Sequence, residues 1–130
     1  MEASRQEVGT LFHRLGGQDG IHALVEDIID AHMDNPKISQ RFEPYAEEPE
    51  RLAELKGHLR KFLAMGSGGP EEYQGRSMPE AHRGMNISER EYMAAVDDIM
   101  EVLDDHDVDE QSQKDVLLIA YSLRSEIMRK

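Results

Sequence analysis

Three of the chain's six histidines stand where their imidazoles could do chemistry. His82 falls on a short segment, Ser77-Met78-Pro79-Glu80, that reads as a capped helix start, and Gly84 stops that helix two residues after it. His32 lies on the apolar face of a helical segment, and His58 sits beside Gly57 on another. A histidine can bind a metal, donate a proton or accept one. Position decides among these, and each of the three can equally be a capping, core or surface residue. There is no cysteine, which excludes disulfides and thiolate metal sites.

The elements that would hold these residues are helical. No stretch of more than four residues alternates cleanly, whereas apolar residues recur at helical spacing throughout. Val8, Leu11, Phe12 and Leu15 make a short stripe closed by Gly16-Gly17. Ile21, Leu24, Val25, Ile28, Ile29, His32 and Met33 form one face of a second helix, which ends at Asn35-Pro36. Lys37 to Phe42 is expected to make one turn, with an acidic loop from Glu43 to Glu48. Pro49 is suited to open a helix carrying Leu52, Leu55, Leu59, Phe62 and Leu63, and Gly66-Ser67-Gly68-Gly69-Pro70 ends it. Ser88-Glu89-Arg90-Glu91 is a second capping box, opening a helix with Tyr92, Ala95, Val96, Ile99, Val102 and Leu103 inward. A last helix is expected from about Glu110 to Arg129. Four of these helices are long enough to form two packed antiparallel pairs.

The 130 residues suit one domain, with 38% hydrophobic and 32% charged residues, an ordinary balance for a folded chain. Aromatic residues make up only 5%, so a large apolar ligand could supply missing core volume, although Met, Leu and Ile could also do so. The net charge of −12 argues against binding to nucleic acid or to anionic membranes. Six acidic residues fall between Glu101 and Glu110; they read as a solvated helix end or as a docking patch for a basic partner. The polar first residues carry no apolar signal core, and the longest apolar run, Val116 to Tyr121, is far short of a membrane span. A cytoplasmic protein is expected.

The segment from Gly68 to Gly84, with Gly68-Gly69-Pro70, Tyr73-Gln74-Gly75 and Met78-x-x-x-His82, resembles the signature of the group I truncated haemoglobins. Leu15-Gly16-Gly17, Val25-Glu26-Asp27 and Asp34-Asn35-Pro36-Lys37-Ile38 through Phe42 are similar to further family motifs, in order and at family-like spacing. The resemblance implies an all-α, two-over-two helical sandwich enclosing a haem. It implies one domain over residues 1–130, with a short helix and glycine motif in 1–17 and a haem-binding core in 18–130.

The resemblance assigns His82 as the proximal iron ligand, its second ring nitrogen donating to a nearby backbone carbonyl. Phe42, Leu55, Leu59, Phe62, Met78, Ile87 and Tyr92 would line a haem b held non-covalently, since c-type attachment needs cysteine. Lys56, Arg76 and Arg83 are candidates to face the propionates or to be plain surface charges. On the distal side the chain departs from the family. Ile29 stands where a Tyr is usual and Leu59 where Gln is frequent; with Ile28 and Leu55 they make an apolar distal pocket. His32, one turn beyond Ile29, is either a neutral core histidine bonded to a backbone carbonyl or a proton donor to that pocket. His58 lies roughly 60° from Leu55 on a helical wheel, at the edge of the Leu55, Leu59 and Phe62 cluster. It either ligates the iron as some cyanobacterial members do, or meets a propionate or solvent.

The function implied is reversible binding of dioxygen, carbon monoxide or nitric oxide by a monomer, with an unidentified reductase as a candidate partner and nitric oxide dioxygenation or peroxidase-like chemistry as candidate side activities. A six-coordinate redox protein and a cofactor-free acidic interaction module are the competing readings.

Overall fold

The computed structural model describes residues 10–69 and 77–129. Thr10 caps α1 (Leu11–Arg14), its hydroxyl accepting from the His13 amide at 3.3 Å. Leu15 ends that turn, and Gly16 (φ 97°) and Gly17 (φ 68°) reverse the chain in left-handed conformations that disfavour a side chain. The reversal launches α2 (Gly17–Asp34), whose buried face is Ile21, Leu24, Val25, Ile28, Ile29 and His32, the face read from the periodicity. Asn35 is extended (φ −85°, ψ 111°), as a residue before proline must be, and the helix stops there.

The expected single turn at Lys37 to Phe42 is instead a longer helix, α3 (Ser39–Ala46), and the expected acidic loop shrinks accordingly. Pro44 lies inside it, at the cost of one backbone hydrogen bond. Side-chain contacts favour the extra turn: the Phe42 and Tyr45 rings meet at 6.5 Å, and Arg51 lies over Tyr45 at 5.1 Å. Pro49 then opens α4 (Pro49–Gly66), the exit of which is closed by the Gly69 amide on the Ala64 carbonyl at 2.8 Å.

Ser77 caps α5 (Met78–His82), and Gly84 (φ 84°) turns the chain away. At the start of α6 (Glu89–Asp105) both halves of the capping box are made: the Glu91 amide donates to the Ser88 hydroxyl at 3.2 Å and the Ser88 amide to the Glu91 carboxylate at 3.1 Å. Asp109 caps α7 (Glu110–Ser122). The last helix does not run to Arg129 as its pattern suggests. It breaks at Leu123, gives a short α8 (Arg124–Ile127), and turns extended at Met128. Tertiary partners override local propensity here: Ile127 and Met128 pack on the cluster of Ile87, Tyr92 and Val96, and the Arg129 amide donates to the Ile87 carbonyl at 3.0 Å.

α2 packs on α4 and α6 packs on α7, the two pairs of a two-over-two sandwich, and α2 also lies along α6. Buried apolar residues form two clusters. The larger joins Leu11, Phe12, Leu15, the α2 face, Ala64, Val102, Leu103 and Val116. The smaller is Ile87, Tyr92 and Val96. Met100 touches both. No helix among the described residues is long and apolar enough to cross a membrane.

Candidate haem-binding site

His82 is the last residue of α5, and that single turn fixes its ring. Pro79 and the Ser77 cap start the turn, and Gly84 releases the chain after it. The imidazole Nδ1 sits 2.8 Å from the Met78 carbonyl one turn back. A carbonyl only accepts, so Nδ1 carries the proton and Nε2 keeps the lone pair that a metal requires. The ring is half-buried, so Nε2 can meet a ligand without that ligand being enclosed by protein on all sides.

The other expected site residues divide between the two apolar clusters. Phe42, Leu55 and Leu59 are half-buried and pack on the α2 cluster beneath Ile28 and Ile29, which are 8% and 0% exposed. Phe62 is half-buried on α4, and Met78 is half-buried on the turn of His82. Ile87 and Tyr92 belong to the smaller cluster, beyond α5 in the chain. The Tyr92 hydroxyl donates to the Ala120 carbonyl, which ties α6 to α7, and burial raises its pKa. Half-buried Leu and Phe side chains on the larger cluster, and Met85, Met93 and Leu117 beside the smaller, offer apolar surface to a large ligand.

The expected cations stand differently. Lys56 is 17% exposed and its ammonium is committed to Glu26 of α2 at 2.6 Å, so it serves the α2–α4 contact. Arg83 is exposed. Arg76, with Tyr73 and Gly75 of the loop motif, lies outside the described residues. His58 lies on the exposed side of α4, next to half-buried Leu59.

His32 pairs with a side-chain carboxyl, where the sequence suggests a backbone carbonyl or the distal pocket. It is 7% exposed, and its Nδ1 pairs with the Asp98 carboxyl of α6 at 2.8 Å. Asn35 donates to both oxygens of that carboxyl at 3.1 Å. Burial lowers the His32 pKa; the bond to Asp98 opposes this less strongly. Its ring stacks beside Phe42, with centroids 5.3 Å apart. Reading the sequence for sites missed Asp98, although Ala94, Asp98 and Val102 share one stripe of α6 at four-residue spacing, and all three are buried. A carboxyl on an apolar stripe signals a buried partner on the facing helix.

A family model described as "Bacterial-like globin" matches residues 10–129. The chain belongs to that family. Among curated relatives, a group 1 truncated hemoglobin of Tetrahymena thermophila is 29% identical over 102 residues, covering 78% of this chain and 80% of the relative. Another from Synechocystis is 24% identical over 117 residues, covering 87% and 90%. Among solved structures, the Fe(III) form of truncated hemoglobin from Tetrahymena pyriformis superposes with a TM-score of 0.84 at 22% identity, covering 93% of this chain and 99% of that one. The fold is thus that of the truncated hemoglobins.

A globin implies haem, and the residues present fit one. His82 offers a single nitrogen of fixed tautomer, and the half-buried apolar side chains offer surfaces for a porphyrin. Among the described residues, no cluster of three histidine or acidic side chains could hold a bare metal ion.

Proposed function

We propose that this chain is a haem protein that takes up diatomic gases, with His82 as the proximal iron ligand. The observation that carries this reading is the Nδ1 contact of His82 with the Met78 carbonyl, which leaves the lone pair on the other ring nitrogen. Bound haem would supply an iron able to take up dioxygen, carbon monoxide or nitric oxide. Holding the group falls to His82 and to Phe42, Leu55, Leu59, Phe62, Met78, Ile87 and Tyr92, with Arg76 as the cation for a propionate.

Ile29, Leu55 and Leu59 set the character of the distal side. None carries a polar hydrogen, so a gas there gains no hydrogen bond from these three side chains, and release of dioxygen is correspondingly quick. His58 supplies the alternative ligand: from the edge of α4 its imidazole competes with a gas for the distal position. The test of the main reading is the visible spectrum. Purified protein should show a Soret band stoichiometric with chain, and His82→Ala should lose haem or hold it loosely. Full retention with an unchanged spectrum in that variant would overturn the proximal assignment, and a colourless wild type that takes up no added haemin would overturn the haem reading itself.

A further inference from the structure

One guanidinium joins the two sides of the site. Arg41 precedes Phe42 on α3, and its side chain reaches across to the segment that follows His82. Its Nε donates to one oxygen of Glu91, and its Nη2 to the other at 3.0 Å. The same Nη2 donates to the Met85 carbonyl at 2.9 Å. Met85 is three residues past His82, and its amide is bonded to the His82 carbonyl at 3.1 Å. Glu91 is itself pinned, since its carboxylate also receives the Ser88 amide in the capping box of α6. A continuous chain of bonds therefore runs from α3, through Arg41, to Met85, His82 and the start of α6.

We propose that Arg41 is a positioning residue for the proximal ligand: it fixes the turn after His82 relative to α3, and so sets the orientation of the His82 imidazole. This rests on the reading of His82 as the iron ligand. The geometry suits the role. A bidentate arginine–carboxylate pair restrains direction as well as distance, which a single ammonium cannot do. The pair is also partly shielded, with side chains 28% and 23% exposed. The Arg41 guanidinium holds the Glu91 carboxyl down at a pKa of about 2, with the Ser88 bonds adding to it. Without Arg41, Met85 loses its side-chain donor and Glu91 its cation. The loop of residues 83–88 is then held at α3 by neither.

The experiment uses haem-loaded wild type, Arg41→Met, Arg41→Lys and Glu91→Gln. Two readouts are taken: the rate of haem transfer to excess apomyoglobin, and the iron–imidazole stretching band of the ferrous, ligand-free protein. Where wild-type iron is held by two histidines at rest, the band is recorded in a His58→Ala background. Arg41→Met should speed haem loss by about tenfold or more, the equivalent of one lost charge-assisted bond. It should also shift or broaden the iron–imidazole band. Arg41→Lys should rescue little, because it restores charge without the fork, and Glu91→Gln should fall between. A purely structural role would lower the melting temperature while leaving the band in place, and that outcome overturns the proposal, as does an unchanged haem-loss rate in Arg41→Met. A wild type showing no iron–imidazole band in either background fails the reading of His82 instead.

Discussion

His32 on α2 and Asp98 on α6 meet through a 2.8 Å hydrogen bond in the core of the protein, and Asn35 closes the other side of the carboxyl. A surface hollow that reaches Asp98 is also lined by Asp27, Asp34, Glu101, Asp105 and His106. Removing the carboxyl leaves the buried His32 nitrogen and the half-buried Asn35 amide without their partner, so Asp98→Ala should cost about 1–3 kcal/mol of stability by urea unfolding. The pH dependence has a defined sign. Burial sets the folded pKa of His32 below its ordinary 6.5, so the unfolded chain binds that proton more readily. The contribution is fully present above about pH 6.5 and is lost as pH falls from there through the folded pKa. His32→Leu should therefore flatten the fall in melting temperature on that acid side. A slope identical to wild type would show that other groups govern it.

The apolar distal face predicts fast gas release. Ile29→Tyr places a hydroxyl one turn before His32, and it should slow dioxygen dissociation by about ten- to a hundredfold, the worth of one hydrogen bond to a negatively polarised acceptor. Stopped-flow measurement with carbon monoxide replacement reads this directly. Ile29 is fully buried, so circular dichroism of the variant should accompany the kinetics. No slowing in a folded variant would mean that another donor already reaches the ligand.

His58 gives a spectroscopic prediction. In the ferrous, gas-free protein the wild type should show sharp, split low-spin bands that His58→Ala replaces with a broad high-spin spectrum. Carbon monoxide binding should then lose its slow phase in the variant. High-spin spectra in both proteins would leave His58 as a surface residue.

Gly20 offers a packing test. In most helix interiors a Gly-to-Ala change gains up to about 1 kcal/mol. Here a Cβ on Gly20 would stand 2.1 Å from the Leu15 carbonyl oxygen, and backbone cannot yield as a flexible side chain does. Gly20→Ala should thus lower the melting temperature, and a rise would show that the α1–α2 turn relaxes easily.

Helical class, the α2 face and the capped turn holding His82 were all legible in the chain, because periodicity and caps are local: each depends on residues within four or five positions. The same holds for the family motifs around Met78 and His82. What escaped depends on partners far away. Asp98 looks like another charge in an acidic helix until α2 brings His32 and Asn35 against it, 66 and 63 residues distant. Lys56 looks available for a propionate until Glu26, 30 residues away, takes its ammonium. Arg41 has no local signature, for its partners Met85 and Glu91 come from beyond the proximal turn.

The helix ends divide in the same way. Gly16-Gly17 and Asn35-Pro36 end helices by their own backbone restrictions, and both ends can be read from the residues. The break at Leu123 has no such marker. It follows from the pairing of Met128 with Ile87 and from the burial of Ile127 beside Tyr92, contacts that exist only once the helices have packed. Sequence alone determined which residues could be helical and which histidine stood on a rigid turn. Tertiary structure decided which charges were spent on one another, because an ion pair or buried hydrogen bond depends on distance in space, and distance along the chain does not encode it.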